Sequence, residues 1–161
     1  MGADRQLLEF LAKWRDSKVV ILGIGNTLKG ADAVGPRVCE RLPGKLAARV
    51  IDAGATPENY IGSILEASPD VLLIVDAVDF GDCPGQIRIC KPDQIHRFAF
   101  STHALSVHLM IDMIRWEKKL EVCLIGIQAD RMRLGDCLSP AMREAVETLV
   151  DTLTELFRPA K

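Results

Sequence analysis

Residues 19–36 read Val-Val-Ile-Leu-Gly-Ile-Gly-Asn-Thr-Leu-Lys-Gly-Ala-Asp-Ala-Val-Gly-Pro. The apolar run Val19–Leu22 is that of a buried strand, and the amphipathic residues from Pro36 onward begin a helix. The glycine-rich segment between them therefore lies at the carboxyl end of a parallel strand, where open α/β sheets place their ligands. One carboxylate, Asp32, stands where the helix begins.

Outward from this segment, strands alternate with helices. Strands are expected at 18–24, 48–53, 71–76, 86–91 and 121–127, and helices at 4–16, 32–42, 57–68, 103–117 and 139–157. Val71-Leu72-Leu73-Ile74-Val75-Asp76 is apolar until its last residue, as a strand buried on both faces is. The 86–91 segment follows after a loop too short for a helical crossover, so it pairs antiparallel at an edge. The fold class is α/β: a single domain over 1–161, with a twisted, mostly parallel five-stranded sheet, one antiparallel edge strand and helices on both faces. Residues 1–17 form an N-terminal helical extension.

Composition narrows the function. The net charge of -2 offers no basic field for a phosphate backbone, so nucleic acid is not an expected partner. No apolar run approaches membrane-spanning length, and charged residues interrupt the first 16 positions, so neither a membrane nor a signal peptide is expected. Five cysteines without a Cys-x-x-Cys pair read as reduced, mostly buried thiols of a cytoplasmic protein.

The glycine loop fits no phosphate fingerprint. Leu28 stands where a dinucleotide motif needs its third glycine, and Lys29-Gly30-Ala31 is not the Gly-Lys-Ser/Thr of a P-loop. On pattern alone, a tight strand-to-helix turn is the favoured reading of the glycines. Asp32 reads equally as an N-cap of the helix or as a ligand. Asp76 is harder to treat as structural. A carboxylate ending an apolar strand is half desolvated, and burying it unpaired costs several kcal/mol, so it calls for a donor set, a cation or a metal. Asp79 reads as a solvated loop residue.

His103 follows Ser101-Thr102, either of which can cap the helix from 103. A lone histidine there is most often structural, and the same holds more strongly for His96 and His108. Together, two carboxylates and one imidazole suit a divalent metal without selecting among zinc, nickel, manganese and cobalt. Neither a His-Glu-x-x-His helix nor a Gly-x-Ser-x-Gly elbow is present.

In ordered blocks, the chain resembles the NiFe-hydrogenase maturation endopeptidases. Gly23–Pro36 resembles that family's opening Gly-x-Gly-Asn-x-x-x-Gly-Asp-Asp-Gly-x-Gly motif, and Asp52-Ala-Gly54-Ala-Thr-Pro57-Glu58-Asn59 its second block. Leu73–Ala77 resembles the strand bearing its second carboxylate, Pro84–Arg88 the next edge strand, Ser101-Thr102-His103 its histidine segment, and Ile125–Gln128 a late strand. The match spans residues 18–157, with two departures: Ala31 replaces the first Asp of the usual pair and Ala33 the following Gly.

The resemblance implies a nickel-dependent endopeptidase that removes the C-terminal extension from the precursor of the hydrogenase large subunit after nickel insertion. It implies Asp32, Asp76 and His103 as the catalytic and nickel-contacting set, with nickel recognised in the substrate. Asn26 is expected to shape the loop, and Glu58 to serve the cleft or a helix start. Hydrolysis by a metal-activated water and by a carboxylate general base both stay open. Two rival readings call for features this chain lacks. A peptidyl-tRNA hydrolase-like esterase shares Gly-x-Gly-Asn but calls for a Thr-Arg-His-Asn block and a basic surface, which this chain lacks. A non-catalytic nucleotide-binding module is opposed by the broken phosphate fingerprints.

Overall fold

Hydrophobic runs at period two and period 3.6 alternate along the chain, and the structure follows them. A computed structural model describes residues 2–97, 99–100 and 104–161. Helix α1 (Arg5–Leu11) continues into a 3-10 turn and is followed by β1 (Val19–Ile24), α2 (Val34–Arg41), β2 (Ala48–Gly54), α3 (Ile61–Ala67) and β3 (Val71–Asp79). Then come β4 (Ile87–Cys90), β5 (Ala99–Phe100), α4 (Ala104–Glu117), β6 (Glu121–Gln128) and α5 (Pro140–Leu156).

The sheet order is β2-β1-β3-β6-β4. The first four strands run parallel, and β4 closes one edge antiparallel to β6. That is the expected five-stranded sheet. The sequence did not signal β5, a two-residue strand antiparallel to the end of β3 through Val78–Phe100 and Asp79–Ala99.

Alternation along the strands sorts the side chains into two apolar layers. Val19, Ile21, Leu73, Val75, Ile125 and Ile127 face α1, α2 and α5, while Val20, Leu22, Leu72, Ile74 and Leu124 face α3 and α4. Each buried aliphatic side chain contributes roughly 1.5–3 kcal/mol. The residues before β1 belong to the first layer: Leu7, Leu11 and Trp14 are buried in it. The Asp4 amide donates to Thr152 Oγ1 of α5 at 2.8 Å, so the N-terminal helix is fastened to the C-terminal one.

Three expected boundaries shift. The helix expected from residue 32 begins instead with a 3-10 turn, Gly30–Ala33, so Asp32 lies one turn before α2. The helix expected from 57 likewise opens with a 3-10 turn, Pro57–Tyr60. Strand β3 runs three residues past Asp76, because β6 and β5 both continue the ladder there.

Two of the cysteines are not buried. Cys83 and Cys137 are exposed, Cys90 and Cys123 buried, and Cys39 half-buried. The exposed pair sit in the loops flanking β4 and α5, where no strand encloses them. Burial pushes the Cys123 thiol up to about 12; burial and then the charge of Asp52 do the same for Cys39, and burial raises Cys90. Because the thiolate is the nucleophile, iodoacetamide at pH 8 is expected to add two carboxamidomethyl groups to the native protein. All five should react only after unfolding, and intact-mass spectrometry reads the difference.

Candidate active site at the carboxyl edge of the sheet

The site begins with close packing of helix on strand. A Cβ on Gly35 would lie 2.2 Å from the Ile24 carbonyl oxygen and 2.6 Å from that of Val75. The start of α2 is thereby pressed onto the carboxyl ends of β1 and β3. A Cβ on Gly23 would meet Cys39 Sγ and the Gly35 carbonyl oxygen, both at 2.5 Å. The glycines serve this approach, which explains why the phosphate fingerprints fail.

Gly25 turns the chain out of β1 with φ +146°, and a Cβ there would stand 1.8 Å from the Asp32 carbonyl oxygen. Asn26 then shapes the loop as expected: its Oδ1 accepts from the Leu28 amide at 2.9 Å. Its own amide donates to Asp32 Oδ2 at 3.0 Å. Asp32 is only 1% exposed. The N-cap reading of Asp32 is corrected here: α2 carries no side-chain cap, and the carboxylate turns back toward the loop after β1 instead. Ala31, where the family pattern has Asp, is fully buried in the apolar layer beside α2 and α5.

A second loop braces this one. The Gly30 amide donates to the Asp136 carbonyl at 3.1 Å, Ala31 to the Arg131 carbonyl at 2.6 Å, and the Gly135 amide to the Leu28 carbonyl at 2.7 Å. Segments 28–31 and 131–136 are thus joined through main chain alone.

Asp76 is also 1% exposed. Its Oδ1 accepts from the Ala77 amide at 2.8 Å. Pairing of β1 with β3 ends at Gly23–Val75, so Asp76 is the first β3 residue beyond β1's reach. It shares a face with Ile74 and Val78, the face packed by α4. The turn bearing Asp32 packs against β3. Two almost wholly enclosed carboxylates therefore come from adjoining segments, Asp76 on β3 past its pairing with β1 and Asp32 in the turn packed against β3. His103, with the Ser101-Thr102 cap expected before it, lies outside the described residues. It directly precedes α4, the helix over Asp76's face. Among the described residues, no group of three or more His, Cys, Asp or Glu could hold a metal ion. His108 is a half-buried residue in the middle of α4.

Sequence reasoning assigns no role to Gln128, whose only signal is a polar residue closing an apolar strand. It is 4% exposed, and its side chain organises the next loop. Oε1 accepts from the amides of Phe80 (2.6 Å) and Asp82 (3.2 Å), and Nε2 donates to Asp79 Oδ1 (3.1 Å) and the Ala129 carbonyl (3.0 Å). Asp79 is exposed, as expected, but it ends β3 rather than lying in a loop, and its carboxylate is bonded. The Gly81 amide and then Gln128 hold it below the usual carboxylate range. On the row Asp76–Gly126–Arg88 across three strands, the Phe80 ring covers Gly126, and the Arg88 guanidinium lies 5.5 Å from that ring's centre.

A helix-flanked, mainly parallel sheet with one buried carboxylate on β3 and another in the turn packed against it is an α/β architecture of the class that takes its ligands at the carboxyl ends of its strands. Residues 36–156 match the model of the hydrogenase maturation proteases of HycI type. The hydrogenase 3 maturation protease of Escherichia coli K12 is 39% identical over 137 residues, covering 83% of this chain and 87% of the relative. The crystal structure of the HycI [NiFe] hydrogenase maturation protease from Thermococcus kodakarensis superposes with TM-score 0.83 at 30% identity, over 93% of this chain and 99% of that one. A crystal structure of a hydrogenase 3 maturation protease superposes with TM-score 0.76 at 38% identity, over 86% and 90%. The chain belongs to the hydrogenase maturation protease family, and it is an endopeptidase. Asp76 and His103 fall inside the matched span, and Asp32 four residues before it.

Proposed function

We propose that this endopeptidase removes the C-terminal extension of a NiFe-hydrogenase large-subunit precursor after nickel has been inserted. Asp32, Asp76 and His103 are the residues that meet the nickel carried by the substrate. The observation behind this reading is the enclosure of two carboxylates, one on β3 and one in the turn packed against it, in a chain of this family. Carboxylates so enclosed are strained by desolvation unless donors or a cation answer them. Mixed carboxylate and imidazole donors suit a divalent ion. A nickel centre in the precursor supplies a Lewis acid near the scissile bond.

The chain's own part is to bind and orient. The Asn26 amide fixes Asp32, the Ala77 amide fixes Asp76, and the braces from segment 131–136 hold the loop that leads into Asp32. Selectivity for loaded precursor equals its affinity advantage over the empty form, about 1.4 kcal/mol for each factor of ten. The cytoplasm is the proposed setting, in keeping with five free thiols. Among the described residues, no helix is long and apolar enough to cross a membrane.

The test is mass spectrometry of nickel-loaded and nickel-free precursor incubated with the protein. Release of one C-terminal peptide from the loaded form alone is expected, and His103→Ala is expected to lower that release at least tenfold. Equal cleavage of both forms would remove nickel from the account, and cleavage of neither would remove the substrate assignment.

A further inference from the structure

The largest exposed apolar side chains of α4 form one stripe. Leu109, Met113 and Trp116 are 55%, 56% and 90% exposed, and their spacing of four and three places them on one helix face. Beside the stripe, Ile61 and Leu65 of α3 line a groove of about 440 Å³ with Met113 and Trp116. Single exposed apolar residues are ordinary, but a contiguous patch with a groove marks an interaction surface. The groove is preformed. Lys118 Nζ donates to the Ser68 carbonyl (2.8 Å) and to Ser68 Oγ (2.6 Å), which ties the end of α4 to the end of α3.

The charges around the stripe select among occupants. Asp112 and Glu117 also line the groove. At 100° per residue they lie about 60° to one side of Leu109 and about 80° to the other, so the stripe is acidic on both flanks. A second copy of this chain would set these carboxylates against their equals, and an anionic bilayer would repel them. An apolar segment flanked by Lys or Arg is complementary. On its opposite face α4 packs Val107, Met110, Ile111 and Ile114 onto the side of the sheet that carries Asp76, so the helix bearing the stripe is the one laid over that carboxylate.

We propose that the α3–α4 groove is a docking site for the folded body of the precursor, engaging an apolar segment with basic flanks while the scissile bond occupies the carboxyl edge. This rests on the substrate assignment made above. It assigns recognition of the whole protein to a surface distinct from the carboxylates.

The test uses nickel-loaded precursor and two readouts. In the first, Met113→Glu combined with Trp116→Glu is expected to raise KM for processing at least tenfold at unchanged kcat. Asp112→Lys with Glu117→Lys should raise it as well. In the second, the wild-type protein alone suffices. Of its two tryptophans, Trp14 is buried, so acrylamide quenching reports Trp116, and precursor should protect it. Unchanged KM in the folded Met113/Trp116 variant overturns the proposal, as does Trp116 remaining fully quenchable in the complex. Protection by self-association or by phosphatidylglycerol vesicles, with none from precursor, overturns it too. If wild type neither binds nor cleaves the precursor, the substrate assignment fails first; if it cleaves while the variants match it, the groove alone fails.

Discussion

Asp76→Asn is expected to reduce precursor processing at least 1000-fold, a loss of about 4 kcal/mol in transition-state stabilisation. The amide matches the carboxylate in size, and its oxygen can keep the bond from the Ala77 amide. What disappears is the negative charge. The charge is almost completely enclosed in the folded protein, and the amide fills the same space, so the fold should survive, as circular dichroism would show. Loss of activity in a protein that stays folded is the signature of a residue kept for chemistry. A variant that processes precursor at the wild-type rate would strike Asp76 from the site.

Gly25→Ala should lose both activity and stability. The new Cβ would overlap the Asp32 carbonyl oxygen at 1.8 Å, and the φ of +146° is one that alanine resists. Both partners are backbone, so no side chain can swing away. A cost of at least about 3 kcal/mol follows from strain of this kind. At roughly 2–4 °C per kcal/mol for a chain of this size, the melting temperature should fall by about 6–12 °C. Any relaxation moves Asp32 itself, so processing should fall even below the melting transition. Gly44→Ala is the control, with nothing within 4 Å and no positive φ. A Gly25→Ala protein melting with wild type and fully active would refute the packing account.

How much was legible before the structure depended on whether the signal was local. The apolar stretch Val71–Val75 and the short Gly81–Gly85 connection were enough to order β3 and to set β4 antiparallel at an edge. Periodicity could not show that β3 would outlast Asp76, because that extension is imposed by pairing with β6 and β5. Asp32 was visible as a candidate, yet its contact with the Asn26 amide was not, since the 3-10 turn delaying α2 arises from tertiary packing of Gly25 and Gly35. Gln128 escaped notice because all its partners except Ala129 lie about 46–49 positions away. The exposure of Cys83 and Cys137 was not legible for a related reason: composition speaks for the average cysteine, whereas exposure belongs to a particular loop.

The main-chain ties between segments 28–31 and 131–136 have an evolutionary corollary. They involve amides and carbonyls rather than side chains, so almost any point substitution in the later segment leaves them standing. Insertions and deletions are another matter. A residue added between Arg131 and Asp136 would shift the carbonyls that receive Gly30 and Ala31, and the displacement would be delivered to Asp32 a hundred positions upstream. Substitutions in that later loop, Gly135 with its φ of +87° apart, should therefore be tolerated where a one-residue change of length is not.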